Sequence, residues 1–401
     1  MIPVEEALAK ILAALTPLGA EEISVEAGLG RVLAEDVAAR VTQPPKPVSA
    51  MDGYAVKAAD VASVPATLTV IGEAPAGRGY QGTVESGQAV RIFTGAPLPD
   101  GADSIVIQED TEASGNQVTV KEAPAPGNFV RPAGLDFRVG DIGIPAGKLL
   151  TARDIGLAAG MNHPWLRVVR RPRIAILATG DEIVRPGDPI GSDQIVSSNA
   201  LALSAFVRGA GGEPLVLGIA PDEMDGLSRM IAGARGADLL VTTGGASVGD
   251  HDLIQTVLGE SGTLGFWKIA MRPGKPLMFG RIHDTPVLGL PGNPVSSMVC
   301  ALLFLGPAIA RLLGRPASGP QTQAARLTAA LKPNDRRQDY LRATLAIDAD
   351  GTMLATPFAK QDSSQFSLLT KADGLLVRPP HDPAHAAGET VQVIPFRDSY
   401  F

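Results

Sequence analysis

The chain has 401 residues, 45% of them hydrophobic and 19% charged, which is the composition of a globular protein with several cores. Aromatic residues make up only 4% and the formal net charge is −7, which argues against a nucleic-acid partner or a membrane partner. The single cysteine, Cys300, excludes an internal disulfide, and its aliphatic surroundings favour a buried structural thiol. Residues 1–6 lack a secretory pattern and the longest apolar run, 298–305, is too short for a bilayer. We therefore expect a cytoplasmic protein.

The N-terminal part of the chain mixes helix with proline-rich connections. Apolar residues recur at helical spacing over residues 3–15, which predicts an amphipathic helix, and residues 27–37 are a candidate second helix. Three prolines then exclude regular structure over residues 42–47. The segment leads to Asp52 and Gly53, which the residues alone leave open between a positioned acid and an ordinary turn.

Two later regions are rich in short alternating runs separated by glycine and proline. Residues 65–145 therefore predict an inserted all-β region, barrel-like or sandwich-like, and the chain beyond residue 319 predicts a small C-terminal β-domain. The predicted strands are 68–71, 89–92, 104–107 and 118–120 in the insertion, and 325–331, 340–346, 353–356, 374–377 and 391–395 in the C-terminal domain.

Between these regions, residues 173–313 alternate strand with helix, which predicts a parallel sheet covered on both faces. Such sheets bind ligands outside the carboxyl ends of their strands. The predicted loops at those ends are 179–182, 242–252 and 291–297. The predicted strands are 174–177, 215–217, 237–242, 277–279 and 287–290. The predicted helices are 200–207, 224–232, 295–313 and one that begins at residue 253. Residues 197–199 are predicted to cap the first of these helices.

The most informative stretch is 237–252, where a buried strand ends in Gly244 and Gly245, continues through Ser247 and Gly249, and resumes as a helix. Glycines allow backbone N–H groups to approach an anion closely, and a helix N-terminus adds its positive dipole end. The pattern favours a phosphate cradle over an ordinary strand-to-helix turn, which remains the alternative.

Charged residues accompany these loops. Lys268, Arg272 and Lys275 lie in a proline-stiffened segment that suits an anionic ligand, although a solvated face is the alternative. Carboxylates beside a phosphate cradle are typical of a hydrated Mg²⁺ site, whereas each acid alone is more typical of a turn or cap. The loop acids are Asp52, Asp136, Asp181, Glu182, Asp222, Asp250 and Asp252; His251 among them is weak support for a transition metal.

Taken together, these motifs resemble those of the molybdopterin molybdenumtransferase family, which includes MoeA and the gephyrin E-domain. The matching segments follow the family's order and cover nearly the whole chain. They are SAMDGYA at 49–55, IFTGAP at 92–97, TGDE at 179–182, SSN at 197–199, TTGGASVGDHD at 242–252, RPGKP at 272–276 and LPGNPVSS at 290–297.

The resemblance implies a multidomain α/β plus β fold in four parts. Residues 1–50 and 141–170 would form an elongated helical and mixed domain I used for dimerisation, and 51–140 an inserted β-domain II. Residues 171–318 would form a doubly wound α/β molybdopterin-binding domain III, and 319–401 a C-terminal β-barrel. The family also implies a homodimer whose active site combines both subunits.

The implied reaction joins molybdate to the dithiolene of adenylylated molybdopterin. Mg²⁺-dependent hydrolysis of the adenylate then releases molybdenum cofactor and AMP. The implied partners are the upstream adenylyltransferase and downstream molybdoenzyme chaperones.

Carried over by motif, the resemblance also implies site residues. Catalysis and metal binding would involve Glu182, Asp222 and Asp252, with Asp52 and Asp136 from the second subunit. Pterin or adenylate binding would involve Thr94 and Arg131, also from the second subunit, together with Gly244, Gly245, Ser247, Gly249, Lys268, Arg272, Pro291 and Asn293. Molybdate would be held by Lys275, Pro276, Arg342 and Ser363.

Two other functions stay open from the sequence. The chain could adenylylate molybdopterin, since proteins of that step share the glycine-rich loop, or it could be a non-catalytic scaffold of the gephyrin type. Consumption of ATP would support adenylylation, whereas AMP release that depends on molybdate would support insertion. A null pull-down alongside full cofactor synthesis would argue against a scaffold.

Overall fold

The computed structural model describes residues 1–244, 253–396 and 401. The chain divides into two compact units, the first comprising residues 1–21, 30–32 and 168–401, and the second residues 22–29 and 33–167. The candidate sheet edge lies in the first unit and the proline-rich segment in the second.

The second unit contains a six-stranded sheet built from the insertion. The four predicted strands are confirmed, and two further strands, Gly53–Val56 and Thr111–Ser114, complete the sheet. Alternate side chains such as Leu68, Val106 and Val118 are buried together in its core. The strand order in space is Ser104–Ile107, Gly53–Val56, Gln88–Ile92, Ala66–Ala74, Gln117–Val120 and Thr111–Ser114.

The rest of the second unit is mostly short elements. One helix, Ala152–Gly160, begins with a capping box between Thr151 and Asp154. The helix expected over 27–37 is wrong: a 3₁₀ turn, Val25–Gly28, is followed by extended chain, because Gly30 takes a left-handed φ of +71°. The other short elements are Val37–Ala38 paired with Ile142–Ile144, Val48–Ser49 paired with Val130–Arg131, and the 3₁₀ turns Ala58–Val61 and Gln108–Asp110.

The first unit contains the α/β sheet, with four parallel strands followed at one side by two strands that join through antiparallel pairings. The expectation of a parallel sheet is confirmed for the four strands and is wrong at that side, because residues 283–284 form a two-residue hairpin, which can join only antiparallel neighbours. In spatial order the strands are Glu213–Ala220, Arg173–Thr179, Leu239–Thr243, Thr285–Leu290, Met278–Ile282 and Gly262–Trp267.

Helices cover both faces of this sheet, as expected. Ala175 and Leu177 lie in one core with residues of Met224–Ala232 and Leu253–Ser261. Ile174 and Ile176 alternate with them on the same strand and are also fully buried. The remaining helices of the unit are Val4–Ala13, Asn199–Gly209, Pro294–Cys300 and Gly306–Leu312, with a π turn at Ala301–Leu305 and a short helix at Phe366–Leu369.

The helical stretch Pro294–Leu312 is more extensive than its longest apolar run indicates. Within the described residues it is the one helix with the length and composition to cross a membrane, but 78% of it is buried inside the protein. Cys300 lies in this helix, and complete burial raises the pKa of its thiol. The expectation of a buried cysteine is confirmed.

The C-terminal strands form a closed five-stranded barrel, as expected. Gln338–Ile347 pairs with both Met353–Pro357 and Gly374–Arg378, which closes the sheet. Gln323–Leu327 and Thr390–Pro395 complete the ring, and Met271–Arg272 adds to it in parallel beside Gln338–Ile347. The remaining short strands of the chain are Ala20–Ser24, Trp165–Val169, Ile183–Val184 and Ile195–Val196.

Candidate functional site

The carboxyl ends of the four parallel strands lie level with one another. Thr179 is in register with Ala220, and Thr243 is in register with Ala178 and Leu290. The loops that follow these strands therefore begin at one edge of the sheet, where an α/β sheet binds ligands.

Three carboxylates converge in two of these loops. The N–H of Asp222 donates to Oδ1 of Asp181 at 3.1 Å. A Cβ at Gly180 would lie 2.8 Å from the carboxyl carbon of Glu182, so the missing side chain leaves room for this carboxylate against the backbone. Partial burial, followed by the charges of Asp181 and Glu182, raises the pKa of Asp222. The edge is thus a place of excess negative charge.

This cluster does not by itself form a metal centre. Within the described residues, no group of three His, Cys, Asp or Glu side chains is arranged to hold a metal ion. Asp252, the third predicted metal ligand, lies outside the described residues, as do Asp250 and His251. The Mg²⁺ assignment stays a prediction.

The backbone of Gly244 begins the glycine-rich loop, directly against the neighbouring strand. Its φ is +90°, and a Cβ there would overlap the carbonyl oxygen of Thr179, so only glycine fits. A Cβ at Gly292 would lie 3.5 Å from Cα of Gly244, so these two loops approach closely. The remaining predicted cradle residues, Gly245, Ser247 and Gly249, lie outside the described residues.

One side chain that the sequence reasoning missed ties these two loops together. Nδ2 of Asn199 donates to Oγ1 of Thr243 at 2.9 Å and to the carbonyl oxygen of Gly292 at 2.7 Å. The sequence analysis gives residues 197–199 a capping role and a place among the family's motifs but no site role, whereas Ser198 makes no side-chain cap hydrogen bond and Asn199 is already the first helical residue. The SSN motif was the available signal.

The structure also joins the sheet edge to the barrel. Nδ2 of Asn293 donates to Oγ of Ser363 at 3.0 Å, and the N–H of Val295 donates to the Ser363 carbonyl at 3.2 Å. Pro291 is in the same loop, and its carbonyl accepts a long hydrogen bond of 3.5 Å from Oγ1 of Thr243. Residues predicted separately for pterin and for molybdate are therefore neighbours.

Arg342 is buried beneath the loop that carries Ser363. Only 1% of Arg342 is exposed. Its Nη1 donates to the Gln365 carbonyl at 3.0 Å, its Nη2 to the Asp362 carbonyl at 2.9 Å, and its Nε to Oε1 of Gln361 at 3.3 Å. The guanidinium holds the loop in shape through these contacts.

The predicted cations differ in their surroundings. Lys275 is half-buried, next to the half-buried Pro276, and its ammonium group makes no hydrogen bond or ion pair with a described residue, although its carbonyl accepts from the N–H of Ile269 at 3.0 Å. Nζ of Lys268 lies 3.4 Å from the ring centroid of Trp267, a cation–π contact, and Lys268 has a left-handed φ of +68°. These two ammonium groups have no carboxylate partner among the described residues.

Arg272 forms ion pairs with acidic residues of the barrel domain. Its guanidinium donates to Oδ1 of Asn334 at 3.2 Å, lies 3.5 Å from Oδ2 of Asp335, and contacts the carboxylate of Asp339. Arg337 and then Arg272 hold the pKa of Asp335 at about 2. The charge of Arg272 is therefore largely compensated within the first unit.

The second unit groups the residues predicted to come from the partner subunit. The N–H and Oγ1 of Thr94 both donate to Oδ1 of Asp52 at 2.7 Å, which lowers the pKa of Asp52. Arg131 pairs in register with Val48, a few residues before Asp52. Asp136 donates its N–H to the Gln43 carbonyl at 3.0 Å, at the start of the same proline-rich segment.

A cavity of about 440 Å³ opens at the opposite edge of the α/β sheet. Leu240 and Thr285 line it, near the amino ends of their strands, together with Ile231 and Val257. None of the predicted site residues that the structure describes borders this cavity. Volume alone is thus a poor guide here, and the carboxyl edge is the better candidate.

The fold and the site define a multidomain protein with an α/β domain whose sheet edge brings carboxylates, unpaired among the described residues, next to the glycine backbone of two loops. Three family models match it: the MoeA N-terminal region (domain I and II) at residues 2–161, a probable molybdopterin binding domain at 175–311, and the MoeA C-terminal region (domain IV) at 324–396.

Full-length relatives agree with these matches. The molybdopterin molybdenumtransferase of Haemophilus influenzae is 34% identical, with 99% of each chain covered. That of Nostoc sp. is 37% identical over 93% of this chain and 88% of the relative. The crystal structure of a molybdopterin biosynthesis MoeA protein from Pyrococcus horikosii superimposes with a TM-score of 0.88 at 32% identity, covering 99% of both chains. The chain belongs to the MoeA family of molybdopterin molybdenumtransferases, which confirms the resemblance.

Proposed function

We propose that the protein transfers molybdenum: it joins molybdate to the dithiolene of adenylylated molybdopterin, and hydrolysis of the adenylate releases molybdenum cofactor and AMP. The names of its full-length relatives support this activity. The observation that carries it is the juxtaposition of the acids around Asp222, the backbone of Gly244, and the contact between Asn293 and Ser363. A phosphoanhydride and an oxyanion need such neighbouring sites.

The adenylylated pterin would lie along the sheet edge. The glycine-rich sequence that begins at Gly244 favours phosphate binding by backbone amides, and Lys268 offers a cation without a carboxylate partner among the described residues. Arg272 would contribute less, because Asp335 and Asp339 already oppose its charge. The other proposed contacts are Gly245, Ser247, Gly249, Pro291 and Asn293 of one subunit, and Thr94 and Arg131 contributed by the other subunit of the dimer.

Molybdate would be held near Lys275 and Ser363. A dianion needs a fixed cation and hydrogen-bond donors, and Lys275 has no competing partner among the described residues. Arg342 would act through the loop it holds, and Pro276 would fix the position of Lys275.

The donor set at the sheet edge fits Mg²⁺. The carboxylates are hard oxygen ligands; burial and then the charges of Asp181 and Glu182 raise the pKa of Asp222, and a divalent cation would relieve that repulsion. We propose Glu182, Asp222 and Asp252 as its ligands. Bound Mg²⁺ would neutralise phosphate charge and help to orient water.

We further propose a homodimer in which Asp52 and Asp136 complete the site of the other subunit, with the four-domain division given above. A cytoplasmic location follows from the activity, as do transient contacts with the upstream adenylyltransferase and downstream chaperones. Analytical ultracentrifugation tests the dimer. Complementation between an Asp52→Ala chain and an Asp222→Ala chain in one mixture tests the shared site, because mixed dimers would regain one intact site.

Product analysis tests the activity itself. Purified protein is incubated with adenylylated molybdopterin, Mg²⁺ and increasing molybdate, and AMP and molybdenum cofactor are quantified. We expect AMP release that depends on molybdate and needs no ATP. Consumption of ATP with formation of the adenylate would instead identify an adenylyltransferase, and no turnover of either kind would leave a binding role.

A further inference from the structure

We propose that Asn199 is a positioning residue for the pterin substrate: its amide sets the spacing between the loop that begins at Gly244 and the loop at Pro291–Asn293. The inference rests on the proposed function, because it concerns how that substrate is gripped. Neither loop contains Asn199, which lies at the first position of the helix Asn199–Gly209.

The bridge consists of two hydrogen bonds that use both protons of one amide group. One reaches Oγ1 of Thr243, the last residue of its strand, and the other reaches the carbonyl oxygen of Gly292. Thr243 is 2% exposed, so the first bond is sheltered from water, where a lost partner is costly. One side chain therefore connects the ends of two adjacent parallel strands.

The bridge controls the distance between the backbone at Gly244 and the backbone at Gly292, neither of which carries a side chain. Gly244 is backed by Thr179, since a Cβ at Gly244 would lie 2.9 Å from Oγ1 of Thr179. Gly292 approaches Gly244 from the other strand: a Cβ at Gly292 would lie in van der Waals contact with Cα of Gly244, at 3.5 Å. Phosphate held by backbone amides depends on such spacing, because the donors cannot adjust as side chains can.

The bridge also reaches toward the barrel. Asn293, the residue after Gly292, donates to Oγ of Ser363. A shift of the Gly292 loop would therefore be passed to the Ser363 loop, although Arg342 anchors that loop independently. We accordingly expect loss of Asn199 to weaken pterin binding more than use of molybdate.

The test compares Asn199→Ala, Thr243→Val and the double variant with the wild-type dimer or monomer as it purifies. KM for adenylylated molybdopterin and KM for molybdate are measured separately, and AMP binding is measured by calorimetry without turnover. For Asn199→Ala we expect the pterin KM and the AMP Kd to rise about five- to tenfold, as for loss of sheltered hydrogen bonds. The molybdate KM should change less than about twofold.

Two controls separate positioning from general destabilisation. Thr328→Val removes two hydrogen bonds within the barrel, to the Ala355 carbonyl and to Thr356, and should lower the melting temperature without raising the pterin KM. Thr243→Val keeps the side-chain volume and removes one end of the bridge. Its effect should be smaller than that of Asn199→Ala, because the bond from Asn199 to Gly292 remains. The double variant should match Asn199→Ala within about twofold, because the only other hydrogen bond of the Thr243 hydroxyl among the described residues, to the Pro291 carbonyl, is long at 3.5 Å.

Several results would overturn the inference. They are an unchanged pterin KM and AMP Kd in Asn199→Ala, equal rises in both KM values, the same rise in Thr328→Val, or independent, multiplicative effects of the two bridge substitutions. If the wild-type chain binds AMP but shows no molybdate-dependent turnover, the proposed function fails while the AMP measurements still decide the role of Asn199. If it neither binds AMP nor turns over, both fail.

Discussion

Within the part of the chain that the structure describes, charged groups are left unpaired at the carboxyl edge of the α/β sheet, whereas they are paired in the C-terminal barrel domain. At the sheet edge, Asp181, Glu182 and Asp222 face one another, and no cation pairs with them among the described residues. In the barrel, the buried guanidinium of Arg342 donates to three loop groups at 3.0, 2.9 and 3.3 Å, and Arg378 pairs with Asp382 at 2.6 Å.

The difference separates a binding role from a supporting role. Charge left uncompensated raises the free energy of the folded chain and is typical of ligand sites. Charge matched by nearby partners fixes a loop or closes a barrel. Arg272 and Arg342, which the family resemblance implies for ligand binding, share the second pattern, whereas Lys275 shares the first.

The largest expected effect is on catalysis and comes from the unpaired carboxylates at the sheet edge. Asp222→Asn should lower the rate of AMP release by about a hundred- to a thousandfold, because it removes a charge aimed at metal and water. Folding stability should stay the same or rise, since the pKa of Asp222 is raised and its ionised form is the disfavoured one in the folded chain. Steady-state kinetics and urea unfolding measure the two quantities.

Asp350→Asn is the matched control, because Asp350 is an exposed acid in a barrel turn. Asp350→Asn should change neither the rate of AMP release nor the free energy of unfolding. If Asp222→Asn kept full activity, or lost activity only by unfolding, the sheet edge would no longer differ from the barrel.

The next effect falls on stability. Arg342→Lys should lower the free energy of unfolding by about 3 kcal/mol, because an ammonium cannot reach the carbonyls of Gln365 and Asp362 and the side chain of Gln361 together. Molybdate use should fall as a consequence of the displaced Ser363 loop.

Arg326→Lys offers the comparison, since Arg326 is exposed and pairs only loosely with Asp348 at 3.8 Å. Its cost should stay below about 1 kcal/mol. Intact stability in Arg342→Lys together with lost molybdate use would instead identify Arg342 as a direct ligand.

A smaller effect sharpens the distinction among the cations. Lys275→Ala should raise the KM for molybdate about tenfold, since one charge-assisted contact is lost, and should change the pterin KM less. Initial rates at varied molybdate measure this, with Lys371→Ala as an exposed-lysine control. An unaltered molybdate dependence would place Lys275 outside the pocket.

The smallest effect concerns the pH dependence of stability in the barrel, where charges are paired. His385 lies between Asp382 at 3.0 Å and Glu389 at 2.7 Å, and hydrogen bonding to Asp382 raises its pKa above the usual 6.5. Its contribution to stability is therefore full below pH 6.5 and is lost as pH rises through the raised pKa.

Melting temperatures of the wild type and His385→Gln should differ by a few degrees at most near pH 6, and the difference should vanish in more alkaline buffer. Below pH 4.5, the ordinary pKa of Glu389, the difference should shrink again as Glu389 and then Asp382 take up protons, since their pKa values are lowered in the folded chain and their contribution is lost on acidification. A difference that is constant across this range would contradict the assignment.

The sequence by itself determined the fold class and the edge of the sheet where the candidate site lies. Alternation of apolar residues is a local property, so the strands Arg173–Thr179 and Leu239–Thr243 and the helix Met224–Ala232 were predictable from their own residues. The end of the strand just before Gly244 was likewise predictable, because the change from apolar residues to glycines is visible in the adjacent sequence.

Only the tertiary structure decided which side chains meet. Asn199 bonds across 44 and 93 residues, and Asn293 reaches Ser363 across 70, so no local pattern could select these pairs. Burial of Arg342 and compensation of Arg272 depend in the same way on carbonyls and acids brought together by barrel closure. Periodicity reports which face of an element is buried, whereas partners are fixed by how distant segments pack.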